Sequence, residues 1–167
     1  MRVYLPATTT VLRRLLDDRR LEGPHTGFAV TPDVRSFYDV DADDEELEYA
    51  ALLAAARSSL RLIDIDPGAV RRRVVLALEV PDGAVEPIGD EDVDRGAARI
   101  TGDVTIAQVA SAHVDLAEAE EDVRAAVAVV LEADLGDEDA QFLVDQAEGH
   151  ELAWYANQEI GVVLDLL

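Results

Sequence analysis

A chain of 167 residues with 49 % hydrophobic side chains is long enough to bury a core and reads as one globular domain, residues 1–167. Its formal net charge of −22 repels phosphate backbones and anionic bilayers, so the charge disfavours nucleic acid and membrane as partners and favours a basic protein surface or divalent cations. Cysteine and lysine are absent, and all 14 basic residues are arginine, which removes disulfides, thiol nucleophiles, cysteine metal sites and Schiff-base chemistry.

A GC-rich coding bias is enough to explain the load of Arg, Ala, Val and Asp. The charge is nevertheless uneven. Arg2, Arg13, Arg14, Arg19 and Arg20 face only Asp17 and Asp18 in the first 20 residues, and no arginine follows Arg124 although ten acids do. The simplest use of this asymmetry is internal: the basic first helix would lie near an acidic part of the same molecule. Exposed pairs of that kind contribute only ~0–1 kcal/mol each.

In chain order, "RVYL" (2–5) predicts a first strand ended by Pro6. "TTTVLRRLLDDRRL" places Val11, Leu12, Leu15 and Leu16 on one helical face, with a threonine before Val11 as N-cap. "TGFAV" (26–30) predicts a strand. "TPDVRSFY" starts a helix with Thr31 as N-cap and Pro32 in the first turn. Residues 39–48 hold seven acids. They do not form an EF-hand loop: counting from Asp39, the sixth position is Asp44, and the run has no glycine. Acids stacked at a helix N-terminus fit better, where the macrodipole favours each by ~0.3–1 kcal/mol. That helix runs to about Ile63, is apolar nearly all round, and is expected to be central.

"RRRVVLALEV" (71–80) is the clearest strand, with an unbroken apolar stretch suited to a sheet interior. Residues 81–96 read as a long exposed acidic loop. "AARIT" predicts a strand, "TIAQV" one helical turn, and "ASAHVDL" a half-buried strand with its polar face out. "AEEDVRAAVAVVLEA" (119–133) predicts one helix broken by Gly136, and the remainder one or two helices to the C-terminus. The expected fold class is α+β: a mixed sheet of about five strands packed with about five helices, ending in a helical C-terminus.

Two constellations invite catalytic readings. Ser111, His113 and Asp115 alternate along a predicted strand and share a face. Same-face neighbours lie roughly 6.5–7 Å apart along a strand, too far for a triad. No G-x-S-x-G elbow is present. "HELAW" begins like the zincin motif, but Trp154 stands where the second histidine should be, so no zinc platform forms. No catalytic residue, metal ligand or cofactor motif follows from the sequence.

What remains is "HELAWYANQEI" (150–160). Read as a helix, it carries one stripe of His150, Trp154 and Gln158 beside another of Glu151, Tyr155 and Glu159. These six residues are the candidate binding surface. Its uses are an aromatic protein interface or a small cleft with Glu151 or His150 as general base. A terminal helix docked through Leu152, Tyr155, Ile160, Val163 and Leu164 accounts for the same pattern without function.

"MRVYLPAT", "FAVTP", "EELEYAALLAAARSSLRLI", "RRRVVLALEVP" and "DEDAQFLVDQAEGHELAWYANQEI" together resemble a family of small acidic actinobacterial proteins known only as a domain of unknown function. The resemblance spans most of the chain and is weakest over 81–96. It implies no activity, cofactor or site residue.

The leading expectation is a non-enzymatic interaction or regulatory protein of the cytoplasm, with a basic protein partner. The N-terminal "MRVYLPATTTVLRR" lacks the layout of a signal peptide, and "AALLAAA" is far too short to span a bilayer. The alternatives are a small hydrolase or ligand-binding domain with a pocket beside residues 150–159, and a weak divalent-cation binder. The oligomeric state is not legible.

Overall fold

The computed structural model describes residues 1–38, 41–89 and 94–167. Seven strands form one sheet, and two short ones form a second. In chain order these are β1 (Arg2–Ala7), β2 (Arg20–Leu21), β3 (His25–Phe28), β4 (Val74–Glu79), β5 (Val85–Pro87), β6 (Ala97–Ile100), β7 (Val104–Thr105), β8 (Val109–Val114) and β9 (Ala153–Ala156). The large sheet has the order β5-β6-β3-β1-β4-β8-β9, and β2 pairs with β7. Every described pairing is antiparallel, so the expected mixed sheet of about five strands is corrected to an antiparallel sheet of seven. The class is α+β as expected. The helices are α1 (Thr9–Asp18), α2 (Pro32–Phe37), α3 (Asp44–Asp64), α4 (Glu120–Val127), α5 (Val130–Asp134), α6 (Glu138–Glu148) and α7 (Ile160–Asp165).

Three apolar clusters separate four layers. Strand residues Val3, Leu5, Leu76, Ala112 and Val114 pack against Leu12 and Leu15 of α1 and Ile160 and Leu164 of α7. On the other face, Tyr4, Phe28, Val75 and Ala77 meet Ala51, Ala55 and Ala56 of α3, whose small side chains let the helix backbone approach the sheet. The far side of α3 presents Leu60 and Ile63 to Val123, Val130 and Val144 of the α4–α6 layer. A helix buried on two sides must be apolar nearly all round, which is the pattern α3 shows.

Caps set the helix starts. The side chains of Thr8, Thr31 and Asp43 accept from Val11, Val34 and Glu46 main-chain N–H groups. Asp44, Glu45 and Glu46 fill the first turn of α3, as expected. Residues 39 and 40 of that acid run lie outside the described residues. β1 does not stop at Pro6 but continues through it to Ala7. The expected loop at 81–96 holds a 3-10 turn at Asp82–Ala84 and strand β5, with residues 90–93 outside the description. The single helix expected over 119–133 is two, α4 and α5, interrupted at Ala128–Val129.

The arginines that find acids are mostly not those of the first helix. Arg57 and Arg61 of α3 reach Asp134, and Arg57 also reaches Glu148 of α6. Hydrogen bonding from Arg61 holds the Asp134 carboxyl below the ordinary carboxylate range despite partial burial. Among the described residues, Arg13, Arg14 and Arg19 have no ion pair within 4.0 Å. The expected pairing of α1 with an acidic region is corrected accordingly: α1 uses its apolar face for the sheet and leaves its arginines to solvent.

The strongest polar link is between Arg73, just before β4, and Asp115, just after β8. Both side chains are essentially inaccessible, at 1 % and 0 % exposure. The guanidinium binds the carboxylate through Nε and Nη2 at 2.8 Å each, and the Arg73 N–H donates to Asp115 Oδ2 at 2.7 Å. Nη2 also donates to the carbonyl of His150 at 2.9 Å. Removing one partner strands a buried charge. Asp115→Asn is therefore expected to cost about 3–5 kcal/mol in urea unfolding, whereas Arg2→Gln, which breaks the exposed pair with Glu79, costs about 1 kcal/mol or less.

Candidate functional site

The stretch 150–160 is not a helix. α6 ends at Glu148, Gly149 and His150 turn the chain, and Ala153–Ala156 form β9, the edge strand beside β8. His113 lies opposite Trp154, and Ala112 opposite Tyr155. A two-residue period replaces the expected helical stripes. Leu152 packs with the α3-side cluster, and Trp154, two residues on, shares that face. Tyr155 turns to the opposite face and packs with the α1/α7 cluster.

Hydrogen-bonded anchors at both ends explain the choice. Arg73 holds the carbonyl of His150, while Asn157 Nδ2 donates to the carbonyls of Ile106 at 2.8 Å and Val109 at 2.7 Å. Aromatic residues suit a pleated, half-covered surface, so Trp154 and Tyr155 favour the strand. The Ala156 N–H donates to the Glu159 carboxylate at 2.8 Å, which blunts one outward group of the sheet edge.

The six predicted residues therefore separate. His150 Nε2 binds Asp122 Oδ2 of α4 at 2.7 Å, a tie between layers. Glu151 is exposed beside a hollow, Trp154 lies on the α3 face, and Tyr155 lies on the reverse. Gln158 and Glu159 sit in the turn before α7, Glu159 as the cap. Only His150, Glu151 and Trp154 stay on one side of the sheet.

On that side they are joined by residues the sequence reading did not single out. Tyr49, Leu52 and Leu53 of α3 face His150, Glu151 and Leu152 across a hollow of about 140 Å³. Tyr49, Leu53 and Trp154 are 52 %, 38 % and 61 % exposed, large apolar groups held in water. Glu45, Tyr49 and Leu53 are spaced i, i+4, but in a helix apolar nearly all round that spacing does not stand out, and only the fold shows that this line is exposed. Glu45, Glu48 and Glu151 supply acid around it, and α3 has no arginine before Arg57.

The alternating Ser111, His113 and Asp115 do share a face, but that face is covered. Ser111 and Asp115 are buried, which corrects the expectation of a polar face turned outward. Ser111 Oγ and His113 Nε2 are 3.3 Å apart, closer than backbone spacing alone suggests, because the imidazole leans along the strand. The aspartate is committed to Arg73, so no triad assembles. Burial, with a smaller contribution from Arg2, pushes the His113 imidazole below its ordinary value. The Tyr4 hydroxyl, 3.5 Å from Glu48, is pushed up by burial and by that carboxylate. Among the described residues, no group of three or more His, Asp and Glu side chains gathers to hold a metal ion. No helix there is long and apolar enough to cross a membrane.

The depressed imidazole has a pH consequence. The unfolded chain takes up a proton at His113 from about pH 6.5 downward, and the folded chain does so only at lower pH. Stability contributed by this residue is therefore complete above pH 6.5 and falls as pH drops toward the folded value. Urea unfolding at pH 7 and pH 5 is expected to show a smaller acid loss for His113→Gln than for the parent chain. An equal loss in both contradicts this assignment.

No curated protein and no solved structure matches the chain. A family model described as "Family of unknown function (DUF6912)" matches residues 1–164. With nearly the whole length matched, the chain belongs to this family of unknown function.

Proposed function

We propose that this protein is a non-enzymatic interaction domain that docks a basic, amphipathic segment of a partner protein on the groove between α3 and β9, in a cytoplasmic setting. The observation that carries the reading is the exposure of Tyr49 and Leu53, which line the hollow beside Glu151, together with the exposure of Trp154 on the same face of the sheet. Exposed aromatic groups at the centre of an interface supply most of its binding energy, and a charged rim steers encounter. The hollow itself, at about 140 Å³, is well below the roughly 300–1,000 Å³ of small-molecule sites. That size favours a side-chain anchor over a substrate and puts the small-hydrolase reading of this segment second. His150, its obvious base, is already bonded to Asp122.

Trp154 is the single tryptophan, so the tryptophan emission of this chain, excited selectively over its four tyrosines, reports this surface alone. A basic protein captured from lysate by the parent chain is expected to shift that emission to the blue. Trp154→Ala and Tyr49→Ala should each weaken capture more than about tenfold with the fold unchanged. Binding should also weaken as salt rises from 50 to 500 mM. Capture that is indifferent to both substitutions, or emission that does not move, contradicts the reading.

A further inference from the structure

A separate cleft opens where the central sheet splits. β1 and β3 are joined by the pair Tyr4↔Phe28. They lie so close there that a Cβ on Gly27 would sit 2.7 Å from Val3 Cγ1. Successive residues of a strand point their main-chain groups to opposite neighbours, so the next rung toward the end of the sheet would join Pro6 to Thr26. Proline has no N–H to donate, and the recorded ladder stops before it. On its other side β1 keeps its register with β4 through Pro6↔Val75 and Ala7↔Val74. The two strands therefore part at Pro6, leaving a cavity of about 1180 Å³ between α1, β1, β3 and α3.

The cleft combines an apolar lining with cationic groups. Leu5, Pro6, Val11, Leu21 and Leu62 give it an apolar lining. Arg14 and Arg20 stand on its rim. Arg14 has no ion pair within 4.0 Å among the described residues, in a chain with 36 acids and 14 arginines. Arg20 reaches Glu22 at 3.7 Å and Asp103 at 3.9 Å, distances longer than a hydrogen bond, so its donors are open as well. His25 Nε2 is turned to the carbonyl of Leu21 at 3.3 Å and serves as wall. Asp18 and Glu22 also line the cleft. They balance the two arginines, and a dianion would meet more repulsion there than a monoanion.

We infer that the β1/β3 cleft binds a small molecule with a monoanionic carboxylate head, held by Arg14 and Arg20, and an apolar body lying along Leu5, Val11 and Leu62. Guanidinium forks match a carboxylate in a bidentate manner, and the cavity is large enough for a chain of several carbons. This site is independent of the α3–β9 groove.

The test is calorimetric titration of the intact chain with octanoate, 1-octanol, acetate and n-octyl phosphate, alongside amide chemical-shift mapping. Octanoate is expected to bind saturably and to shift the amides of Leu21 and Thr26. Octanol and acetate are expected to bind at least about tenfold more weakly, and Arg14→Gln and Arg20→Gln each to weaken octanoate by about tenfold. Arg124→Gln, exposed on α4 in the layer beyond α3, should change nothing. Both cleft arginines project from the surface, and unchanged amide shifts elsewhere verify that the variants are folded. The inference is overturned if octanoate shows no saturation by about 10 mM, if the two substitutions leave its affinity intact, if octanol binds equally well, or if octyl phosphate binds more tightly than octanoate.

Discussion

The buried pair of Arg73 and Asp115 is the interaction on which the sheet's β9 side depends. It closes the β4–β8 ladder at the point where both strands leave the sheet, and the same guanidinium holds the His150 carbonyl from which β9 departs. Burying a charge pair gains little net stability, since desolvation offsets most of the attraction. Its value lies in specificity. Few alternative registers satisfy three guanidinium hydrogen bonds and both carboxylate oxygens at once. The described residues contain no buried side-chain nitrogen or oxygen without a partner. Ser59 follows the same logic nearby: its hydroxyl donates to the Ala7 carbonyl at 2.7 Å and accepts from the Val74 N–H at 3.1 Å, pinning α3 to the β1–β4 rung.

From this anchor the functional surface follows. With β9 fixed at the edge and α3 fixed across the sheet, α3 and the segment 150–152 that leads into β9 leave a shallow groove between them. The period of two in β9 then decides which aromatic is offered to solvent. Trp154 falls on the groove side, while Tyr155 falls on the α1/α7 side and helps close the core. The charge asymmetry acquires a location too. Acids concentrate at the N-terminal end of α3 and beyond Arg124, whereas Arg13 and Arg14 of α1, which have no ion pair among the described residues, lie beside or near the β1/β3 cleft.

Much of the architecture was legible in local pattern. Val74–Leu78 could only be an interior strand, Thr31-Pro32 and the acid run before α3 marked helix starts, and the all-round apolarity of α3 pointed to a central helix. The failures share one cause: long-range contacts override local periodicity. "HELAWYA" satisfies a helical pattern as well as an alternating one, and it is the distant Arg73 and β8 that select the strand. Pro6 reads as a strand breaker, yet β1 runs through it because its missing donor faces β3, where the two strands part, while its pairing with β4 is kept. The polar face of "SAHVD" looked solvent-bound because its partner, Arg73, lies 42 residues earlier in the chain. Of the six surface residues, His150, Glu151 and Trp154 lie on one side of the sheet, while Tyr49 and Leu53 could not be recognised without knowing which side of α3 faces water.

Native-state amide hydrogen exchange tests the central claim, that a buried charge pair positions an exposed edge strand. The N–H groups of Ala153 and Tyr155 point to β8 and should be protected, while that of Trp154, on the outer edge, should exchange quickly. In Asp115→Asn the Ala153 and Tyr155 amides should lose protection before those of Leu76 and Leu78 at the sheet centre. Contiguous protection across residues 151–159, or a uniform loss across the sheet in the variant, would contradict the account.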